Sequence, residues 1–353
     1  MRRTTLSPVV LATSLLLVGT VAATSAHADA EWTETPVDVP ADADFYKVLA
    51  AGERDVWAAG TGADGSLMAR WDGAKWNQVE VPVLGRLTGI DGSSDNLWVS
   101  ADLGVLHWDG KTWTDWDAGQ SDEANLLGVA AGEDGEAWAV GQRYVADGVI
   151  AGQIKRWDGD AWTDAKTDVT AEQWSMAAAD VVAADDAWAV GTQSAGEGLQ
   201  GLALHWDGEQ WTTTPLPTTQ DEELDLSDVV ALSEDDVWAL GAGYDDDSTW
   251  TVVLHWDGKE WSRVETPADC AEPVDLAKTE NGFIVTGYEE CTDEPKPFMM
   301  ESVDGKWQTV TPPGGPGAIL FGADTTPDGT TWTVGSQHVD GGDEYTPFAA
   351  YRG

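Results

Sequence analysis

The chain has 353 residues, of which 63 are acidic and 18 basic, so its formal net charge is −45 at neutral pH. Such a surplus of negative charge repels nucleic acid and anionic membranes, and it favours solubility and cationic partners. After the N-terminal leader no segment approaches the ~20 apolar residues of a membrane-spanning helix. We therefore expect a monomer that neither binds nucleic acid nor inserts into a membrane.

The first element is predicted to be an export signal. A basic start, Arg2-Arg3, precedes an apolar run over 8–22, and small residues close it at Ala26-His27-Ala28. This order of charge, apolar run and small residues is typical of a secretory signal peptide with its cleavage site. We predict a cleaved signal peptide over 1–28, one domain over 29–353, and a secreted, extracellular protein.

The rest of the chain is a tandem repeat with a period of about 40 to 50 residues. The pattern D-x-W-A-x-G, or a degenerate copy, occurs seven times, at 55–60, 96–101, 136–141, 186–191, 236–241, 282–287 and 330–335. A second pattern, W-D-G-x-x-W or a copy that lacks its first Trp, lies within six segments, at 70–76, 107–113, 156–162, 205–211, 255–261 and 302–307.

Each repeat reads as four short strands. Apolar runs rich in Val, Trp and Leu alternate with turn residues, and an Asp-Gly pair separates the third run from the fourth. Asp-Gly between two such runs is a strong hairpin signal, because Gly accepts positive φ. Four-stranded units at this period are typical of propeller blades. The fold class is therefore predicted as all-β, a seven-bladed β-propeller with four-stranded blades.

The outer strand of the last blade is missing from the C-terminus. Seven second strands can be counted but only six outer strands, and the chain stops at Tyr351-Arg352-Gly353. The segment 31–37, E-W-T-E-T-P-V, matches the outer strand W-T-T-T-P-L at 211–216. We predict that this N-terminal strand completes the last blade, since closure removes an open sheet edge.

The repeats also explain most aromatic and histidine residues. Of 21 Trp, 18 occupy repeat positions, which indicates packing between neighbouring blades. The residue before W-D-G alternates between His and Arg, and a framework position of this kind is interpreted as structural. Its members are His107, His205, His255, Arg70 and Arg156.

These repeats resemble the tandem D-D-V-W-A-V-G / W-D-G-x-x-W repeats of secreted bacterial β-propellers over the whole span 31–353. They are more distantly similar to Asp-box and to WD40 or kelch-like propellers. The Asp-box carries one more residue between its Asp and Gly than Asp109-Gly110 has. WD40 repeats carry an upstream Gly-His pair that is missing here. The resemblance implies the fold but does not select an activity.

The working face is predicted from loop variability. The turns between the first and second strands and between the third and fourth are short and repeated, whereas the connections on the other face vary. Variable loops on a rigid scaffold usually carry binding. Cys270 and Cys291 fall on that face in blade 6, and an exported chain meets an oxidising compartment. We predict one disulfide between them, worth about 3 kcal/mol.

Aromatic and acidic residues gather in the same loops. Trp174 and Trp250 lie outside the repeat, and a Trp near loops can stack on a sugar or an apolar ligand. The full set of candidate binding residues is Trp174, Tyr244, Trp250, Tyr144, Arg143, His338 and Tyr345. Asp245, Asp246 and Asp247 could supply oxygen ligands to Ca²⁺. The run lacks the spacing of a known calcium loop, so a solvated acidic tip is the alternative, and we predict no other cofactor.

Three functions remain open. The first is a non-catalytic binding or interaction module for a glycan, a cell-wall component or a cationic protein. The alternatives are a carbohydrate-active hydrolase or lyase that uses paired carboxylates, and a structural extracellular protein. A sialidase-type site needs several arginines to bind a carboxylate, and the predicted face offers too few. Zinc or copper sites need clustered His or Cys, and no such cluster stands in the sequence.

Overall fold

The computed structural model describes residues 31–39, 42–116, 124–132, 135–145, 148–196, 198–217, 222–245, 248–267, 270–289, 295–338 and 344–353. These residues form 28 β-strands in seven four-stranded antiparallel sheets, and Trp32–Gly353 is one compact unit. Each sheet packs against the next in chain order and the last packs against the first. The fold is therefore a seven-bladed β-propeller, as predicted.

In blades 1 to 6 the strands follow one another from the centre outwards in chain order, whereas in blade 7 the N-terminal β1 lies outside β26, β27 and β28. Blade 1 consists of β2 (Asp44–Gly52), β3 (Asp55–Gly62), β4 (Gly65–Trp71) and β5 (Trp76–Val79), and blade 2 of β6 (Leu87–Ser93), β7 (Asn96–Ala101), β8 (Gly104–Trp108) and β9 (Trp113–Trp116). Blade 3 consists of β10 (Ala124–Ala131), β11 (Ala137–Tyr144), β12 (Ile150–Trp157) and β13 (Trp162–Asp164), and blade 4 of β14 (Trp174–Ala183), β15 (Asp186–Ala195), β16 (Gly198–Trp206) and β17 (Trp211–Thr214). Blade 5 consists of β18 (Glu223–Ser233), β19 (Asp236–Tyr244), β20 (Thr249–Trp256) and β21 (Trp261–Val264), and blade 6 of β22 (Ala271–Thr279), β23 (Gly282–Glu289), β24 (Lys296–Val303) and β25 (Lys306–Thr309). Blade 7 consists of β26 (Ala318–Thr325), β27 (Thr331–His338), β28 (Tyr345–Arg352) and the N-terminal β1 (Thr33–Glu34).

The ring is closed by the N-terminal strand, as the sequence predicts. In β1, Thr33 pairs with Tyr351 of β28. The Thr35 N–H then donates to the Ala349 carbonyl at 2.8 Å. The Arg352 guanidinium lies 4.8 Å from the ring centroid of Trp32 and also pairs with Glu301 of blade 6. Closure therefore joins the two termini and ties them to the preceding blade.

Tryptophans fill the junctions between blades. At five of the seven junctions, the second-strand Trp of one blade contacts both W-D-G-x-x-W tryptophans of the next blade, as Trp57 does with Trp108 and Trp113. Blade 6 lost its first W-D-G tryptophan, and there Trp238 contacts Phe283, which stacks on Trp307. Because a buried aromatic side chain removes ~150–250 Å² from water, these contacts supply much of the core.

Candidate functional site

The His and Arg that precede W-D-G are structural in this fold. His205 Nε2 lies 2.8 Å from Asp186 Oδ1, and its ring stacks on Trp188 at 4.5 Å. Arg70 pairs with Asp55 at 2.6 Å, and its guanidinium lies 4.6 Å from the Trp57 ring centroid. Both residue types therefore cover a second-strand Trp and bind the residue that begins that strand.

The aspartate of W-D-G is also structural. In five blades its Oδ1 accepts backbone N–H groups two and three residues ahead, as Asp109 does from Lys111 and Thr112 at 2.9 and 2.8 Å. These backbone hydrogen bonds hold the pKa below its usual value at four of the five, Asp109, Asp158, Asp207 and Asp257. The following glycine has positive φ, for example 85° at Gly110. This turn closes the hairpin and faces away from the variable loops.

The first strand of every blade carries a β-bulge at the same place. The bulged residues, one per blade, are Tyr46, Thr88, Leu127, Ala177, Ser227, Val274 and Phe321. The first strands surround a central cavity of about 470 Å³. Bulges change the direction of side chains and are common beside functional sites. We call the walls of this cavity the central channel, and we call the end of the cavity on the variable-loop side its mouth.

Five aspartates on the channel wall join neighbouring blades; we call them the carboxylate latches. Each accepts a backbone N–H from the first strand of the next blade at 2.7–2.9 Å. The pairs are Asp91 with Ala131, Asp180 with Ala231, Asp228 with Leu276, Asp275 with Ala323, and Asp324 with Ala50. All but Asp275 also accept the N–H of the following residue. The inner edge of a sheet has donors without strand partners, and the latches bind those donors.

Burial changes the charge of these carboxylates. Desolvation raises the pKa of Asp180 to about 7 and that of Asp324 to about 6, despite the backbone N–H groups that favour the ionised form. Desolvation likewise raises the pKa of Asp91, and it raises that of Asp228 to about 7, although Lys47 opposes this shift. At neutral pH the channel is therefore acidic and partly protonated.

Lys47 is the cation of this channel. Its Nζ pairs with Asp275 and lies 3.9 Å from Asp228. Burial lowers the pKa of Lys47, but the attraction of the two carboxylates outweighs it, so the pKa lies above the ordinary value. Lys278 also lines the channel, and its Nζ bonds the Gly282 carbonyl. The described lining holds more carboxylates than ammonium groups.

The mouth of the channel combines aromatic and acidic groups. Tyr46 and Phe321 meet edge to face, with ring centroids 5.5 Å apart, and both are half-buried. Burial raises the pKa of Asp44, two residues before Tyr46, although Ser336 donates a hydrogen bond to it. Burial and the nearby Asp44 raise the pKa of the Tyr46 phenol. An aromatic edge beside carboxylates suits a cationic group.

The two loop-face tryptophans are packed rather than free. Trp174 begins β14 and covers Gly152, where a Cβ would lie 2.1 Å from its ring. Trp250 covers Gly243 in the same way and joins the core between blades 4 and 5. Trp250 also borders a groove of about 460 Å³ lined by Arg263 and Pro267. Both rings are half-buried, so their contribution to binding stays a prediction.

The other candidate binding residues fall into three groups. The Tyr244 hydroxyl donates to the Glu272 carboxylate at 2.9 and 3.0 Å. His338 and Tyr345 pair across β27 and β28 with ring centroids 4.1 Å apart. Arg143 and Tyr144, at the end of β11, are exposed. The structure places these groups on different blades of one face, and it does not bring them together into one pocket.

Parts of two predicted features lie outside the described residues. Cys270 directly precedes β22, but Cys291 is outside, so the disulfide stays a prediction. Asp245 is exposed and its N–H donates to the Ser248 carbonyl at 3.1 Å, whereas 246–247, the rest of the calcium candidate, are outside. Within the described ranges no three His, Cys, Asp or Glu side chains group as metal ligands. No helix among those residues has the length and apolarity to cross a bilayer.

The channel residues were missed at the sequence level. Lys47 and the latches lie in first strands, and the apolar runs of these strands indicated only that they belong to the core. A usable signal existed: in five blades one Asp interrupts the first strand, followed by a small or apolar residue, as in Asp180-Val181 and Asp228-Val229. A charged residue that recurs inside a buried strand needs a partner, and the inner sheet edge provides it.

Comparison with known proteins supports the fold alone. No family model and no curated protein matches the chain. The WD40 propeller domain of Doa1 matches with a TM-score of 0.62 and 12% identity, over 91% of this chain and 97% of that one. YCF48 bound to a D1 peptide matches with a TM-score of 0.59 and 16% identity, over 91% and 96%. A Dyadobacter fermentans protein of unknown function matches with a TM-score of 0.56 and 12% identity, over 91% and 98%. The chain is a seven-bladed β-propeller similar in architecture to WD40-type and YCF48-type propellers.

Proposed function

We propose that this chain is a secreted, non-catalytic binding module that takes a cationic protein on its variable-loop face, with the acidic mouth of the central channel as the contact. The observation that carries the proposal is the lining of the channel, where carboxylates outnumber the ammonium groups of Lys47 and Lys278. Complementary potentials of this kind speed association and select partners of opposite charge. The net charge of −45 acts in the same direction.

The geometry supports binding better than hydrolysis. A glycosidase needs one carboxyl group free to protonate the leaving group and a second that is free to act as base or nucleophile. The latches are instead engaged by backbone N–H groups of two blades or, at Asp275, by Lys47. The described channel lining also offers no Trp or Tyr platform for a sugar ring. Among the proteins of similar fold, Doa1 contains a WD40 domain and YCF48 was solved with a bound D1 peptide; both are precedents for a propeller that binds and not evidence about this chain.

Secretion and the disulfide belong to the same proposal. An extracellular module loses its leader at Ala28 and pairs Cys270 with Cys291 in the oxidising compartment. Mass spectrometry of the exported protein is expected to show a chain that begins at Asp29. Retention of residues 1–28 on a cell-associated protein would contradict this part of the proposal.

The test compares classes of ligand on one mature protein. A basic peptide, an acidic peptide of equal length, a glycan array and purified cell-wall polymer are presented in turn at 0.15 M salt. We expect the basic peptide to bind and its affinity to fall with added salt, because screened charges attract less. Binding of a glycan with no salt dependence, or turnover of a polysaccharide, would contradict the proposal.

A pair of charge variants locates the contact. Asp44→Asn removes one negative charge at the mouth, and Glu209→Gln removes one from an exposed turn on the opposite face. An exposed charge at the edge of a contact contributes up to ~1 kcal/mol, so Asp44→Asn is expected to lower the affinity for the basic peptide by up to about fivefold. Glu209→Gln is expected to change its affinity far less. Equal effects of the two changes would mean that only net charge matters.

A further inference from the structure

The aromatic pair at the channel mouth has an apolar neighbour. Val83 and Leu103 are 62% and 47% exposed, on two loops of the variable face. The Leu103 N–H donates to the carbonyl of Leu84, the residue after Val83, at 3.0 Å. This bond joins the two loops that carry these side chains, where blade 1 passes into blade 2. Exposed apolar side chains that adjoin one another mark contact sites more often than isolated ones do.

This patch lies on the blade 2 side of Tyr46. Asp102, next to Leu103, accepts two hydrogen bonds from the Arg86 side chain at 3.1 and 3.2 Å. Arg86 directly precedes β6, which packs against β2, the strand that carries Tyr46, and both charges of the pair act on the Tyr46 phenol. We define the mouth strip as Phe321, Tyr46, Leu103 and Val83. It runs from blade 7 across blade 1 to blade 2.

The strip lies where the loop face is open. The second and third strands of blades 1 and 2 are joined by tight turns, from Gly62 to Gly65 and from Ala101 to Gly104. The corresponding strands are farther apart along the chain in blades 3, 6 and 7, for example from His338 to Tyr345. An extended chain can thus reach the channel mouth from the side of blades 1 and 2.

We propose that the mouth strip docks an extended segment of the cationic partner protein, with a Lys or Arg against Tyr46 and Phe321 and an apolar side chain on Val83 and Leu103. The inference rests on the proposed function and names the part of the partner that is bound. A cation over an aromatic ring gains ~0.5–2 kcal/mol, and Asp44 complements its charge. Such a segment supplies both the charge and the apolar surface, which an unmodified glycan does not.

The pair Arg86–Asp102 sets the direction of the segment. Arg86 neutralises Asp102 on one side of Tyr46, so this carboxylate offers little attraction to a basic side chain there. Phe321 of β26 and Asp44, which accepts a hydrogen bond from Ser336 of β27, lie on the blade 7 side instead. The basic side chain therefore sits on the blade 7 side and the apolar side chain on the blade 2 side.

The experiment uses three labelled peptides on the mature full chain: one with Lys-Ala-Leu-Leu, one with Lys-Ala-Ser-Ser and one with Ala-Ala-Leu-Leu. Fluorescence anisotropy at 0.15 M salt is expected to give about tenfold tighter binding of the first than of the second. Val83→Ser/Leu103→Ser is expected to abolish that difference. Leu232→Ser, which removes a 41% exposed leucine near the opposite face, is the matched control and is expected to keep it.

The outcomes separate the two proposals. Equal binding of the first two peptides, or a tenfold difference that survives Val83→Ser/Leu103→Ser, would overturn the mouth strip while basic ligands still bind. Failure of every Lys-containing peptide and basic protein to bind would overturn the proposed function itself. A second variant, Phe321→Ser, is expected to lower the affinity for both Lys-containing peptides and to leave the affinity for the Ala-Ala-Leu-Leu peptide unchanged. Unchanged tryptophan fluorescence in each variant confirms that the blades are folded.

Discussion

The indole Nε1 of Trp76 donates a hydrogen bond of 2.9 Å to the hydroxyl of Thr35, across the junction between the last blade and the first. Trp261 makes the same bond, at 3.0 Å, to Thr214 in the outer strand of blade 4. Thr35 and Thr214 are the matching positions of the two W-T-x-T-P segments. The N-terminal strand therefore takes the place of an outer strand in its side-chain contacts as well as in its backbone pairing.

Thr35→Val is expected to destabilise the ring without changing its shape. The hydroxyl is lost and the buried Trp76 indole keeps an unsatisfied N–H, which costs about 1–3 kcal/mol. Urea unfolding followed by tryptophan fluorescence measures the change. Thr33→Val, on an exposed residue of the same strand, is the control and should leave the midpoint within error. Equal midpoints for the two variants would mean that the hydroxyl plays no part in closure.

The same rule predicts a stabilising change. Within the described residues, three of the indoles that begin an outer strand, those of Trp113, Trp162 and Trp211, are buried without a hydrogen-bond partner. In the blade before each of them, the position of Thr35 holds Val79, Trp116 or Ala165.

Ala165→Thr places a hydroxyl where Trp211 Nε1 can use it. We expect a gain of about 1 kcal/mol in the free energy of unfolding, the net value of a typical hydrogen bond. Ala165→Val adds the same volume without the hydroxyl and separates the bond from the packing. A gain in both variants, or in neither, would contradict the hydrogen-bond explanation.

The predicted disulfide is tested by counting thiols. Cys270 and Cys291 enclose about 20 residues of blade 6, the blade that lost its tryptophan anchors. A loop of this length gains ~3 kcal/mol from cross-linking, mainly by restricting the unfolded chain. Titration of the exported protein in denaturant without reductant should find no thiol, and reductant should lower the unfolding midpoint. Two titratable thiols per chain would show that the pair does not form.

The ring architecture could be derived from sequence because its determinants are local and repeated. Each W-D-G-x-x-W segment encodes its own hairpin turn, and the match of 31–37 to 211–216 places the N-terminus in the last blade. The carboxylate latches and Lys47 could not be placed in this way. Their partners are backbone groups or carboxylates on other blades, such as Ala231 for Asp180, and no sequence spacing encodes the position of such a partner. The separation of the candidate loop residues onto different blades is set by the ring geometry for the same reason.

The latches predict that the protein loses stability as pH rises from 4 to 7. The folded-state pKa values of Asp180 and Asp324 lie at about 7 and about 6, above the ordinary value of 3.8. Between these limits the unfolded chain has released protons that the folded chain still holds, so rising pH favours unfolding. The stabilising contribution is complete below about pH 4 and is lost as pH passes through the folded values.

The measurement separates the latches from the overall charge. Urea midpoints are taken from pH 4.5 to pH 8 in 0.5 M salt, which screens the repulsion among exposed carboxylates but acts little on buried ones. The decline with pH is expected to persist in salt. Asp180→Asn removes one buried titration and should flatten the decline, whereas Asp304→Asn, in a turn that is not buried, should not. A flat profile in salt for the parent protein would exclude the latches as its cause.

Lys47→Met tests the ammonium group that pairs with Asp275 and lies near Asp228. Removing one partner leaves carboxylates in the channel wall without their cation, which is costly in a buried site. Because the Lys47 side chain is 24% exposed, we expect a loss of about 1–3 kcal/mol, below the ~3–5 kcal/mol for breaking a fully buried pair. The loss should be larger at pH 8 than at pH 5, since Asp228, with a pKa of about 7, takes up a proton at the lower pH and needs no counter-charge.

Lys278→Met removes the same charge from another part of the channel wall, where the ammonium bonds a carbonyl, and should show neither the loss nor its pH dependence. A loss for Lys47→Met that is equal at both pH values would mean that Asp228 takes no part in the effect, because neither the packing of the alkyl chain nor the pair with Asp275 responds to the protonation of Asp228.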